Sequence, residues 1–389
     1  MNPKRFTFFH LAAAVLLGSV LTLAALTAAL NMAVGPQFVP ILQGMSLIRS
    51  RFVGDYSPDE MTNAALDGMV RGLGDRWSHY LPPEEADYQA QRRENSFCGI
   101  GIQADLRSTD GIRILMIYSD SPAQQAGLTT DELIVAVDGL TFTGDNHQAL
   151  VDAIAGEEGT DVTLTVRSAD GTSRDLTLTR AQVKIDPVRF ELLDSGAGYV
   201  ALSNFYSGSA EKLNSAVDQL VADGASSLVF DMRNNGGGYV PELTRMLDHL
   251  LPEGPIFRSV NVDGDEVVTP SDAACVDLPM AVLVNQDTYS AAEFFAAQLQ
   301  ETAGAYIVGE PTSGKGYSQQ PLPLSNGGVM QISTGRYLTG QGVSLIGTGL
   351  TLDAEVSLPA PLPENPEDFV DTQLSAALEI LDSPAEGAD

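Results

Sequence analysis

Lysine is scarce in this sequence of 389 residues: Lys4, Lys184, Lys212 and Lys315 are all there is, against seventeen arginines. Two cysteines, Cys98 and Cys275, form no C-x-x-C pair, and four scattered histidines (His10, His79, His147, His249) have no metal-ligand spacing. That speaks against zinc chemistry, and no metal or cofactor is expected. Two free buried thiols are expected in preference to a disulfide. Positive charge is also short: 21 basic against 51 acidic side chains give a net charge of −30. So acidic a surface repels phosphate backbones and anionic headgroups, which argues against nucleic acid and polybasic membrane docking. Internal repeats are absent. What is present is apolar content, 44% against 19% charged, enough for sizeable cores and too much for a disordered chain. At about 150 residues per domain, the length predicts two or three domains.

One long apolar run opens the chain. Lys4 and Arg5 precede Phe6 to Val34, interrupted only by His10, Ser19, Asn31 and a few threonines. At about 1.5 Å per residue this stretch spans a hydrocarbon core of about 30 Å. It exceeds the roughly 7–15 apolar residues of a secretory signal, and the small-residue site around Thr27-Ala28-Ala29 is weak. An uncleaved anchor is therefore expected over a cleaved signal. Basic residues on the short side place that end in the cytoplasm and everything after residue 35 outside; cleavage would instead give a secreted protein.

Residues 36–95 read as a helical lead-in, with Met61, Ala65, Met69 and Leu73 at helical spacing, ending in the turn-rich stretch from Leu73 to Pro83. The single tryptophan, Trp77, lies there and reads as a packing anchor. From Phe97 the pattern changes to short β runs: Gly99–Ile102, Ile112–Ile117, Leu133–Gly139 and Val162–Val166, with helical pieces at Pro122–Leu128 and about Asn146–Ala155. After Arg180, strand and helix alternate: Val200–Phe205, a helix carrying Leu213, Ala216, Val217, Leu220 and Val221, then Leu228–Phe230 and Met280–Val284. This predicts a layered α/β core. The tail from Pro361 is acidic and holds a helix over Phe369–Leu381, read as a packing or dimer helix, so a homodimer is one expected state.

Over residues 96–183 the β-rich segment resembles a PDZ domain in the circularly permuted bacterial arrangement. Phe97-Cys98-Gly99-Ile100-Gly101-Ile102 resembles its carboxylate-binding loop. Ser121-Pro122-Ala123 to Gly127-Leu128, followed by Asp131 to Gly139, resembles its core signature. Glycines let backbone N–H groups converge on a terminal carboxylate, and an exposed sheet edge accepts a peptide as an added strand.

Lys315, in Gly309-Glu310-Pro311-Thr312-Ser313-Gly314-Lys315-Gly316, nearly matches a phosphate-binding loop, but Gly316 stands where a Ser or Thr should hold magnesium. The proline-bearing Tyr317 to Pro323 that follows reads as extended chain, not a helix. Unlike arginine, lysine loses its proton when desolvated and then serves as a base. Its best nucleophile is Ser290, after an apolar strand and before the helix-forming Ala291–Leu299; taken alone, Ser290 is also an N-cap with Glu293 completing a capping box. The strand Leu228–Phe230 ends in Arg233-Asn234-Asn235-Gly236-Gly237-Gly238, a turn suited to aiming an N–H at an oxyanion. Serine, lysine and glycine turn are the parts for acyl transfer, and no histidine lies near them.

These motifs resemble the carboxyl-terminal processing (tail-specific) proteases, peptidase family S41, over nearly all of residues 60–382. In that family the nucleophile opens a Ser-Ala-Ser-Glu stretch, a lysine follows twenty-five positions later in Gly-Lys-Gly, and a glutamine comes four beyond; Ser290, Lys315 and Gln319 reproduce both spacings. The resemblance implies Ser290 as nucleophile, Lys315 as general base, Gln319 as the residue orienting the lysine, and the N–H groups of Gly237 and Ala291 as the oxyanion hole. Gly236 stands where proline is common, and Ala292 replaces the second serine.

The implied protein is a multidomain α/β serine endopeptidase: signal anchor or signal peptide (1–35), helical region (36–95), PDZ-like domain (96–183), crotonase/ClpP-like protease core (184–365), and acidic helix and tail (366–389). It would cleave protein substrates with free C-termini, gated by the PDZ domain. A catalytically inactive peptide-binding scaffold is the alternative, separated by covalent labelling of Ser290. An acyl-CoA enzyme is a third reading, disfavoured by the few basic groups available for phosphate.

Overall fold

The computed structural model describes residues 8–359 and 369–383. Lys4, Arg5, Pro361 and the acidic extreme of the tail lie outside the described residues. The chain divides into two compact units, residues up to Ala65 and residues from Leu66 onward. In the first, a 27-residue helix spans Phe8–Val34 and a second spans Phe38–Arg51. The segment His10–Ala29 is long and apolar enough to cross a membrane, a description that a signal sequence also meets. A helix over Pro58–Arg71 leads into the second unit. There Val70 is buried, whereas Met69 and Leu73 are largely exposed.

The second unit is built on a six-stranded sheet in the order 188–192, 197–202, 227–231, 280–284, 306–309 and 354–355, the first pair antiparallel and the rest parallel. Its central strands Ser227–Asp231 and Met280–Val284 are buried throughout, as the apolar runs Leu228–Phe230 and Met280–Val284 require of strands covered on both faces. Helices Ser209–Ala222, Val240–Leu250 and Ala291–Ala303 pack on one face around Phe205, Phe230, Phe294 and Phe295. Helix Thr372–Asp382 covers the other through Ala377 and Leu374. Arg233 pins that helix, donating to Asp231, Asp371 and Gln373.

A second sheet brings Tyr317–Pro323 against Val329–Leu338, which pairs in turn with His79–Leu81 and Gly254–Asn261. The end of the lead-in, His79–Leu81, is thereby a strand of this sheet. The small β-rich domain carries its own five-strand path, 102–105, 112–117, 133–137, 161–167 and 173–179, around Ile112, Ile114, Ile134 and Leu164. The chain enters and leaves it through one antiparallel ladder, Ser96–Gly99 against Ala181–Lys184.

Both cysteines are free, but they are not buried: Cys98 is half-buried in that ladder and Cys275 is exposed. Cys275 lies in the connection 272–279, whose Val276 and Leu278 pack against the core while the cysteine faces outward.

Candidate active site

Ser290 sits where the strand Met280–Val284, after a short turn, gives way to the helix Ala291–Ala303, and its backbone is at φ 59°, ψ −126°. A non-glycine residue rarely holds such a conformation, which costs on the order of 1–3 kcal/mol and persists where the surroundings enforce it. The enforcement is visible. Thr288, fully buried, donates its hydroxyl to Met232 O at 2.8 Å and accepts from Asn285 N. Asn285 exchanges side-chain and backbone bonds with Asn234, and Tyr289 N–H donates to Asn235 O. The serine turn and the glycine turn are stitched into one body. Replacing Ser290 by glycine is expected to stabilise the fold by about 1 kcal/mol of relieved strain, read as a higher melting temperature.

The stitching brings Gly237 beside the serine. At φ +82° it takes a left-handed conformation, and a Cβ there would lie 2.8 Å from Ala291 N and 3.0 Å from Ser290 Cβ. Its N–H donates to Asn235 Oδ1 at 2.8 Å, and Asn235, fully buried, donates in turn to Leu202 O. The Ala291 N–H, in the first turn of its helix, has no acceptor among the described residues. Gly236 lies against the end of the Tyr289 side chain: a Cβ there would meet its hydroxyl at 2.5 Å, so a proline would displace that ring.

Glu293 joins serine and lysine. Its side chain is fully buried. One oxygen accepts from Ser290 N–H (3.0 Å) and Lys315 N–H (2.9 Å), the other from Gly314 N–H (2.7 Å) and the Thr312 hydroxyl (2.6 Å). Sequence reasoning assigned Glu293 only the capping half of this role. Nothing local signals donors 19 to 22 residues away.

The Lys315 amine faces rings. Nζ lies 4.8 Å from the Trp77 centroid and 5.5 Å from that of Tyr289. Among the described residues no hydrogen bond joins it to Ser290 or to Gln319. Burial brings its pKa down to about 8, with Arg93 and Arg76 pushing the same way and Asp75 and Glu293 opposing. Gln319 donates to Tyr317 O and to Ser333 Oγ (3.1 Å), and Ser333 donates to Asp75 Oδ2 (2.6 Å). In this structure Gln319 thus belongs to a chain ending at Asp75.

In the small domain, Phe97, Cys98 and Gly99 lie in the ladder at its neck, with the Phe97 ring against Tyr118. Ile100 and Gly101 form the bend before the strand Ile102–Asp105. Their carbonyls accept from Ala123 and Tyr118, while their N–H groups have no acceptor among the described residues. Gly101, at φ +83°, admits no side chain, since a Cβ would lie 2.2 Å from that of Ser121.

Comparison with known proteins settles the family. The profile of peptidase family S41 matches residues 196–356, and that of the PDZ domain residues 113–168. The carboxyl-terminal-processing protease of Synechocystis is 31% identical over 348 residues, 87% of this chain and 81% of that one. This chain belongs to the S41 carboxyl-terminal processing proteases. It is a serine-type peptidase that carries a PDZ domain. The carboxy-terminal processing protease CtpA of Bacillus subtilis is 30% identical over 81% of this chain and 68% of its own. A Bacteroides fragilis protein crystallised as an S41 protease shares the fold at TM-score 0.56 and 18% identity, over 85% of this chain and 92% of that one.

Proposed function

We propose that this S41 protease cleaves protein chains at or near their C-terminal tails through a Ser290–Lys315 dyad gated by its PDZ domain. The observation that carries the reading is the strained Ser290 turn, tied through the buried Glu293 carboxylate to the loop that bears a depressed-pKa lysine. Strain and a shifted pKa at one place are features of reactive sites.

Lys315, as the free amine, takes the Ser290 proton while the hydroxyl attacks the scissile carbonyl, and returns it to the leaving amine. Ala291 N–H and Gly237 N–H receive the oxyanion, for which Gly237 exchanges Asn235 Oδ1 for the substrate oxygen. Gln319 steadies the lysine as its amine takes the serine proton. The bend of Ile100 and Gly101 holds the substrate carboxylate, the strand after it accepts the chain, and occupancy of that groove releases the core. The domain limits implied by the sequence, a crotonase/ClpP-like ancestry of the core and an extracytoplasmic setting behind an N-terminal anchor or signal belong to the same proposal.

Two measurements bear on it. Because the amine works only when neutral and titrates near 8, kcat/KM should rise with pH through about 8 and fall roughly 100-fold by pH 6. A rate that is flat across that range would contradict Lys315 as the base. An unfolded model protein with a free C-terminus should be cleaved about 10-fold faster than the same protein amidated, since a carboxylate gains charge-assisted bonds that an amide does not. Equal rates would remove the PDZ domain from tail recognition.

A further inference from the structure

The segment before the small domain is more than a lead-in. Asp75 accepts from Trp77 N–H (3.0 Å), the Ser78 hydroxyl (2.6 Å) and the Ser333 hydroxyl (2.6 Å). Arg76 donates to Ser313 O at 2.9 Å, two residues from Lys315, and its guanidinium lies 4.1 Å from the Trp77 centroid. Immediately afterwards His79–Leu81 pairs with Val329–Gln331, with Tyr80 and Leu81 buried. The strap is fixed at both ends, and the residue it presents between them is Trp77.

Trp77 and Tyr289 stand 5.8 Å apart, centroid to centroid, with the Lys315 amine near both faces. Tyr289 immediately precedes the nucleophile and rests on Gly236 of the glycine turn. The two rings therefore define a slot that abuts the serine turn on one side and the strap on the other. We infer that Trp77 is a positioning residue for the Lys315 base, closing with Tyr289 an aromatic slot that keeps water from the amine and holds it beside the Ser290 turn. This rests on the dyad proposed above.

Ring faces attract an ammonium and on that account favour its charged form, whereas exclusion of water disfavours it. Exclusion prevails here, since the net displacement of Lys315 is downward with burial as the leading cause. The charged groups around the amine are Arg93, Arg76, Asp75 and Glu293, two of each sign, so they oppose one another and leave the rings as the shield. Opening the slot admits water, restores the proton and frees four rotatable bonds.

The test is the pH profile of kcat/KM on an unfolded protein for wild type, Trp77→Ala, Trp77→Phe and Lys315→Ala. Trp77→Ala should move the acid limb up by about one pH unit and lower kcat roughly 10- to 100-fold with KM little changed. Trp77→Phe, which keeps a ring face, should restore most of both. An unmoved limb in Trp77→Ala, or a loss that Trp77→Phe does not recover, overturns the inference. If circular dichroism shows Trp77→Ala unfolded, Trp77→Leu takes its place under the same criteria. Lys315→Ala separates the two levels: if it still cleaves, the base itself is wrong, whereas an inert Lys315→Ala beside an unmoved Trp77→Ala profile removes only the role of Trp77.

Discussion

Ser290→Ala and Lys315→Ala should each reduce cleavage of an unfolded protein by about 10³-fold or more, with the fold intact. Removing the hydroxyl deletes the atom that bonds to the substrate. Removing the amine leaves a hydroxyl with no acceptor for its proton near neutral pH: the partners of His79, His147 and His249 are Trp77 O, Ser108 O and Asp218, and none is hydrogen-bonded to Ser290. The two act as a unit, so the double variant should be no slower than either single one. Additive losses would mean that Lys315 serves a step other than activation of Ser290. Stability should not suffer, because the lysine amine is a group whose charged form the site disfavours.

Glu293→Gln is the second large effect, expected to lower kcat about 100-fold and stability by about 2–4 kcal/mol, read from kinetics and urea midpoints. The carboxylate satisfies four donors with two oxygens. Glutamine offers one oxygen, and its amide group turns N–H toward N–H on the other side. Either the Ser290–Lys315 pair or the Thr312–Gly314 pair then loses its acceptor beside a fully buried side chain. KM should change little, since Glu293 is buried and meets no substrate. A stable, fully active Glu293→Gln would show that the helix and the lysine loop hold their places without it.

The proposed reacting groups were legible in the sequence because each carries a local signal. Ser290 stands between an apolar strand and a helix-forming run, Lys315 is one of four lysines and the only one flanked by glycines, and the glycine turn follows the apolar run Leu228–Phe230. The PDZ and protease segments declare themselves by a change of period, from short alternating strands to alternating strand and helix. What could not be read is whatever depends on how distant segments meet. Glu293 looks like a cap because its nearest donor is its own helix start. Trp77 reads as packing, which is what a lone aromatic usually does, since nothing in the lead-in reveals a partner more than two hundred positions later. Gln319 has the spacing of a lysine partner, but a register shift after Ser318 interrupts the alternation of its strand and its side chain bonds Ser333. Asn235, among glycines, looks like turn chemistry, yet it holds the Gly237 N–H proposed for the oxyanion.

Catalysis as proposed requires Lys315 to activate Ser290. Treating the folded protein with a serine-directed covalent probe at pH 8 and mapping the adduct by peptide mass spectrometry reads this directly. The predicted result is modification of Ser290 in the wild-type protein and its near-complete loss in Lys315→Ala. An adduct on another residue, or equal labelling of Ser290 without the lysine, would contradict it.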